Sequence, residues 1–83
     1  MKLSRQELAR CFQVSARTVT NWRINGMPCV QDGVRPQFEF EDAAAWLWQY
    51  SLFGFANYEE PDIVIANARR RAKAIVRARA KRP

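Results

Sequence analysis

Ser4-Arg5-Gln6-Glu7-Leu8-Ala9-Arg10-Cys11-Phe12-Gln13-Val14-Ser15-Ala16-Arg17-Thr18-Val19-Thr20-Asn21-Trp22-Arg23 is the stretch on which the fold turns. Its first four residues form a capping box, in which the Ser4 hydroxyl accepts the Glu7 amide and the Glu7 carboxylate reaches back to Ser4. A helix therefore starts at Ser4, and Leu8, Ala9 and Phe12 follow at helical spacing, carrying it to about Cys11 or Phe12. Gln13-Val14 interrupts the run. Ser15 then offers a second N-cap, and Val19 and Trp22, three apart, give the second helix one apolar side. Gly26 supplies a left-handed stop, with Pro28 close behind to prevent continuation. Two short helices, a tight turn and a shared apolar face make a helix-turn-helix.

Beyond Gly26 the periodicity changes to two. Pro28 to Gln31 and Val34 to Phe40 flank Asp32-Gly33, a pair suited to a tight hairpin turn. Phe38 and Phe40 fall on one side and Gln37 and Glu39 on the other, which reads as a small β-hairpin wing. Glu41-Asp42 places carboxylates at the positive end of a third helix, which runs from Ala43 to about Leu52 with Trp46, Leu47, Trp48 and Tyr50. Trp46, Trp48, Phe53 and Phe55 are read most simply as core. Residues 53–61 hold turn formers and no helical signal, hence a linker or arm. Asp62 caps a last helix from Ile63 towards Arg82, rich in Ala and Arg. Within it Ile65, Ala68, Ala72 and Ile75 step in a coiled-coil cadence. The expected fold is mainly α: a winged helix-turn-helix over residues 1–52, a linker over 53–61, and a basic helix over 62–83 for dimerisation or DNA contact.

The chain has 83 residues and 9.7 kDa, room for one hydrophobic core. Its net charge is +6, which favours a polyanionic partner, and the distribution is sharper than the total. Residues 1–37 carry six bases and two acids; residues 38–62 carry six acids and no base; residues 63–83 carry eight bases and no acid. A polyanion would meet the first and last thirds and be turned away from the middle.

Histidine is absent, which removes the commonest general base and the commonest metal ligand. Cys11 and Cys29 alone cannot complete a zinc site; they could form one disulfide, but in a reducing cytosol they are read as small buried hydrophobes. Glu59, Glu60 and Asp62 lack the separated pairing that hydrolytic acid–base work needs, and three scattered glycines make no phosphate-cradling loop. No enzyme, no metal and no cofactor is expected. No apolar run approaches a membrane span of about 18 residues, so no membrane partner is expected either.

Within the winged reading, the second helix presents its other flank to the DNA major groove. Arg17 can donate two parallel hydrogen bonds to a guanine edge, and Asn21 can pair both ways with adenine. Thr20 can meet a thymine methyl or a phosphate, and amides near Ser15 can hold a phosphate. The plainer role for the Thr18 and Thr20 hydroxyls is a bond to their own backbone. Arg23 points towards the DNA backbone, and Arg35 near the wing tip towards the adjacent minor groove or its phosphates. Arg69, Arg70, Arg71 and Lys73 of the last helix add phosphate contacts.

The run Leu8-Ala9, Phe12 to Ser15, Arg17 to Val19, Trp22 and Gly26-Met27-Pro28, then a wing, Asp42-Ala43-Ala44 and Trp48, resembles the winged helix-turn-helix of the MerR and excisionase superfamily. It is most similar to the N-terminal DNA-binding domain of the lambda-type bacteriophage terminase small subunit, over about residues 3 to 50. The resemblance implies a dimer that recognises double-stranded DNA at the packaging initiation site and recruits a large motor and nuclease subunit, in the host cytoplasm. It also implies that Ser15, Arg17, Thr18 and Asn21 are recognition-helix positions and Arg35 a wing position. The sequence departs from the family at two points. Gln13 stands where such turns often carry glycine, suggesting a turn without a left-handed residue, and the last helix is basic where the family's is acidic. An excisionase-like or MerR-like regulator that bends DNA is the alternative, and a protein-binding adaptor with an aromatic third helix is another.

Overall fold

A computed structural model describes residues 1–32, 35–49 and 61–80. In chain order these form β1 (Lys2–Ser4), α1 (Arg5–Phe12), α2 (Ala16–Ile24), β2 (Val30–Asp32), β3 (Arg35–Glu39), α3 (Phe40–Gln49) and α4 (Pro61–Ala80). The architecture is mainly helical with one small antiparallel sheet, ordered β1-β3-β2. β2 pairs with β3 through Val30↔Gln37, Gln31↔Pro36 and Asp32↔Arg35, as the period-two pattern led us to expect. The turn expected at Asp32-Gly33 extends beyond the described residues.

β1 is an addition that the sequence reading did not contain. It lies on the other side of β3, with Leu3 opposite Phe38, and both side chains are fully buried. Three residues are too few for periodicity to register. The N-terminal ammonium is fixed by Glu39 at 2.8 Å, and the Met1 carbonyl accepts the Phe40 amide at 2.8 Å. The last bond hands the chain from sheet to helix: Phe40, expected in the strand, opens α3 one residue ahead of Glu41 and Asp42.

The capping box forms as expected, with Glu7 N donating to Ser4 Oγ at 3.2 Å and Ser4 N to Glu7 Oε1 at 2.9 Å. α1 buries Leu8, Ala9, Cys11 and Phe12. The turn that follows corrects the sequence reading: Gln13 is left-handed, at φ 56° and ψ 46°. The reason is hydrogen bonding. Only a left-handed residue here lets Val14 N reach Ala9 O, at 3.0 Å, and close the α1 C-terminus in a Schellman-type end. α2 ends the same way, with Gly26 at φ 116° and Met27 N donating to Trp22 O at 3.0 Å.

An aromatic column joins the layers. Trp22 meets Phe12 edge-on at 5.9 Å, Phe12 stacks on Phe40 at 5.8 Å, and the Arg69 guanidinium lies 5.8 Å from the Phe40 ring centre. Trp46 is half-buried, but Trp48, expected in the core, is exposed because Ala44 and Leu47 take the inward face of α3. Phe53 and Phe55 lie outside the described residues, as does the expected linker apart from Pro61.

α4 starts one residue before the expected cap, with Pro61 at its first position and Asp62 in its first turn, an arrangement proline's fixed φ favours. It runs antiparallel to α1, since Arg71 meets Cys11 and Arg79 meets Glu7. The Ile65, Ala68, Ala72 and Ile75 stripe, read from its coiled-coil cadence, packs against the core of this chain. Ala68 and Ala72 are fully buried because their small side chains let α4 approach closely.

Candidate nucleic-acid interface

Ser15 caps α2: its backbone is extended, and its Oγ accepts the Thr18 amide at 3.2 Å. Val19 and Trp22 hold the helix from behind, fully or almost fully buried. At 100° per residue their partners on the other side are Arg17, Asn21 and Ile24, and all three are exposed. Among the described residues the side chains of Arg17, Asn21 and Arg23 make no hydrogen bond or ion pair, although the Asn21 and Arg23 carbonyls accept amides at the end of α2. Ile24 was not anticipated. Its side chain is 75% exposed, i+7 from Arg17, a spacing that would have revealed it.

Thr20 takes the plainer role, while the Thr18 hydroxyl meets a neighbouring side chain instead. Thr20 Oγ1 donates to Ala16 O at 3.2 Å, and Thr18 Oγ1 shares a hydrogen bond with Ser15 Oγ at 3.0 Å. Thr20 is also the acceptor for Arg5 Nη1 at 3.1 Å. Arg5 is thus a further residue that sequence reading missed. It lines a groove of about 410 Å³ together with Ser4, Gln6, Arg35 and Pro36, so the wing strand β3 and the first turn of α1 meet there. Arg35 is exposed beside it. No acidic residue occurs between Leu8 and Gln31; Glu7 precedes that interval, and Asp32, which follows it, lies opposite Arg35 across the sheet.

The last-helix candidates divide. Arg69 is bidentate to Glu41 at 2.8 and 2.9 Å, and that bond holds the Glu41 carboxyl below its ordinary value and the guanidinium above its own. Arg71 Nη1 donates to Cys11 O at 2.8 Å. Arg70 bonds Asn67 on its own helix, and Lys73 has no hydrogen bond or ion pair among the described residues. Three acidic groups are paired within the fold, Glu39 with the N-terminus, Glu41 with Arg69 and Glu7 with Arg79, while Asp42 and Asp62 are exposed.

Both cysteines are free thiols, and burial pushes Cys11 up to about 11. Among the described residues no three His, Cys, Asp or Glu side chains come together as metal ligands, and no helix is long and apolar enough to cross a membrane. No protein-family model matches the chain, and no characterised protein matches it in sequence.

Proposed function

We propose that the protein is a winged helix-turn-helix that binds double-stranded DNA sequence-specifically, with α2 in the major groove and β2–β3 as the wing. The observation that carries this is the side-chain sorting on α2: Val19 and Trp22 inward, Arg17 and Asn21 outward and unpaired among the described residues, with no acid nearby in sequence. Arg17 reads guanine, Asn21 adenine, and Ile24 offers an apolar surface to thymine methyl groups. Arg5 and Arg35, sharing one groove, hold the phosphate backbone beside them. By its resemblance the protein is the DNA-recognition domain of a terminase small subunit, working as a dimer and delivering the packaging site to a large subunit.

The test starts with the duplex sequence that the protein selects from a random pool. Arg17→Ala should weaken binding to that sequence by about 10- to 100-fold, while changing binding to random duplex by no more than about twofold. Equal losses on both would rule out base reading by Arg17. Retention of a terminase large subunit separates the packaging role from an excisionase-like or MerR-like regulator.

One observation favours a protein-binding adaptor as the second reading. Trp48 is 51% exposed on the rim of a groove of about 400 Å³ between α3 and α4, lined also by Ala44, Ala45 and Ile65. Unchanged mobility of duplex DNA at low salt would support that reading against the first.

A further inference from the structure

α1 sorts its neighbours by face. Arg5 and Phe12, at i and i+7, mark the side turned to α2: Arg5 bonds Thr20 and Phe12 meets Trp22. The Glu7 side chain marks the side turned to α4, where it meets Arg79, and the Cys11 backbone carbonyl one turn on accepts from Arg71 of the same helix. The two sides sit roughly 150° apart around the α1 axis, so α2 and α4 flank it on opposite sides. Their outward faces point away from each other.

The outward face of α4 carries Arg70, Lys73 and Arg77, all exposed, opposite the buried Ile65, Ala68 and Ala72. They form a stripe roughly 10 Å long within about 60° of helix surface. No acid occurs between Ile63 and Ala80, and the Glu41 carboxylate of the neighbouring helix is already paired with Arg69. Between and beside the three bases stand Ala66, Ala74, Ala78 and Ala80, all exposed. A protein interface is anchored by buried aromatic or large apolar groups; among the described residues of α4 the one exposed large apolar side chain, Ile63, stands roughly 10 Å before Arg70 along the helix, so the stripe itself holds no such anchor, and a surface of charge suits the sequence-independent backbone of a nucleic acid.

We propose that this stripe is a second phosphate-backbone site, so that one chain holds two duplex segments at once, one at α2 and one at α4. The inference rests on the DNA-binding reading of α2 and adds a bridging activity to it. Three phosphate contacts imply a steep response to salt: retention of the second duplex should fall roughly 40-fold between about 50 and about 200 mM.

The experiment uses the full chain, one random-sequence duplex immobilised on beads and a second, fluorescent one in solution. Wild type should retain the fluorescent duplex. The R70Q/K73Q/R77Q variant, whose glutamines preserve helix propensity, should still bind the bead duplex but retain less than a tenth of the fluorescent one. Unchanged circular dichroism and melting temperature serve as the folding control. Bridging by that variant equal to wild type would overturn the proposal and assign bridging to a dimer acting through two copies of α2. A wild type that binds single duplexes without bridging would overturn it too, leaving the α2 reading intact. Absence of all duplex binding would remove both readings. Polyglutamate competing as well as duplex would reassign the stripe to an acidic protein partner and overturn the proposal.

Discussion

The Arg71 guanidinium donates to the Cys11 carbonyl at 2.8 Å, linking residues sixty positions apart and satisfying an acceptor that the last turn of α1 leaves open. A cation at that C-terminus also opposes the helix dipole. Arg71 therefore belongs to the scaffold. Arg71→Met should lower unfolding stability by about 1–2 kcal/mol in urea denaturation, because a charge-assisted bond is lost and its acceptor left open. DNA affinity measured on the folded fraction should be unchanged.

Gln13 and Gly26 do the same job at the ends of α1 and α2, but only Gly26 does so without a Cβ penalty. Gln13→Gly should raise stability by up to about 1 kcal/mol, the relief of left-handed strain exceeding the extra chain entropy of glycine. Gly26→Ala should lower it by about 1 kcal/mol; its Cβ would find Trp46 Nε1 only at 3.7 Å, so the penalty is conformational rather than steric. Shifts of the same sign in the two denaturation midpoints would contradict this account.

On α2, neighbouring apolar residues should behave oppositely. Trp22→Ala removes a buried ring that packs on Phe12 and should cost about 3–5 kcal/mol of stability. Ile24→Ala, on the exposed face, should change stability by no more than about 0.5 kcal/mol. Its effect should appear instead in DNA affinity, measured by fluorescence anisotropy on the selected duplex.

The Glu7 carboxyl serves both the α1 cap and the Arg79 guanidinium. Burial pulls its pKa upward, but the Ser4 amide, Arg79 and the Ser4 hydroxyl outweigh that and set it below the ordinary 4.5. A folded pKa below the unfolded one means the stabilisation is fully present above 4.5 and lost as pH falls through the folded value. Glu7→Gln should therefore lower the melting temperature at neutral pH, and the gap to wild type should narrow steadily below pH 4.5. A gap independent of pH would show that packing, not charge, is what Glu7 contributes.

Much of the helical scaffold could be read from short-range chemistry. Ser4 with Glu7, and Ser15 with Thr18, are local signals whose partners lie three residues away, so the starts of α1 and α2 were legible. So was the split between Val19 and Trp22 on one side of α2 and Arg17 and Asn21 on the other. Gln13 was misread because its left-handed backbone is imposed by the bond from Val14 to Ala9, not preferred by glutamine itself. β1 was missed because its three residues gain their structure only by pairing with β3.

The placement of α4 is the sharpest division. Its helical propensity, its basic charge and the spacing of Ile65, Ala68 and Ala72 belong to the sequence alone, because each depends on neighbours within a few residues. Which surface that apolar stripe would meet, and which arginines would be spent on Glu41, Cys11 and Glu7, was decided only when the chain closed over itself. The same stripe satisfies a second helix from another molecule or α1 of its own. The hydrophobic effect is indifferent to the source of its partner; hydrogen bonds across sixty and seventy-two residues are not.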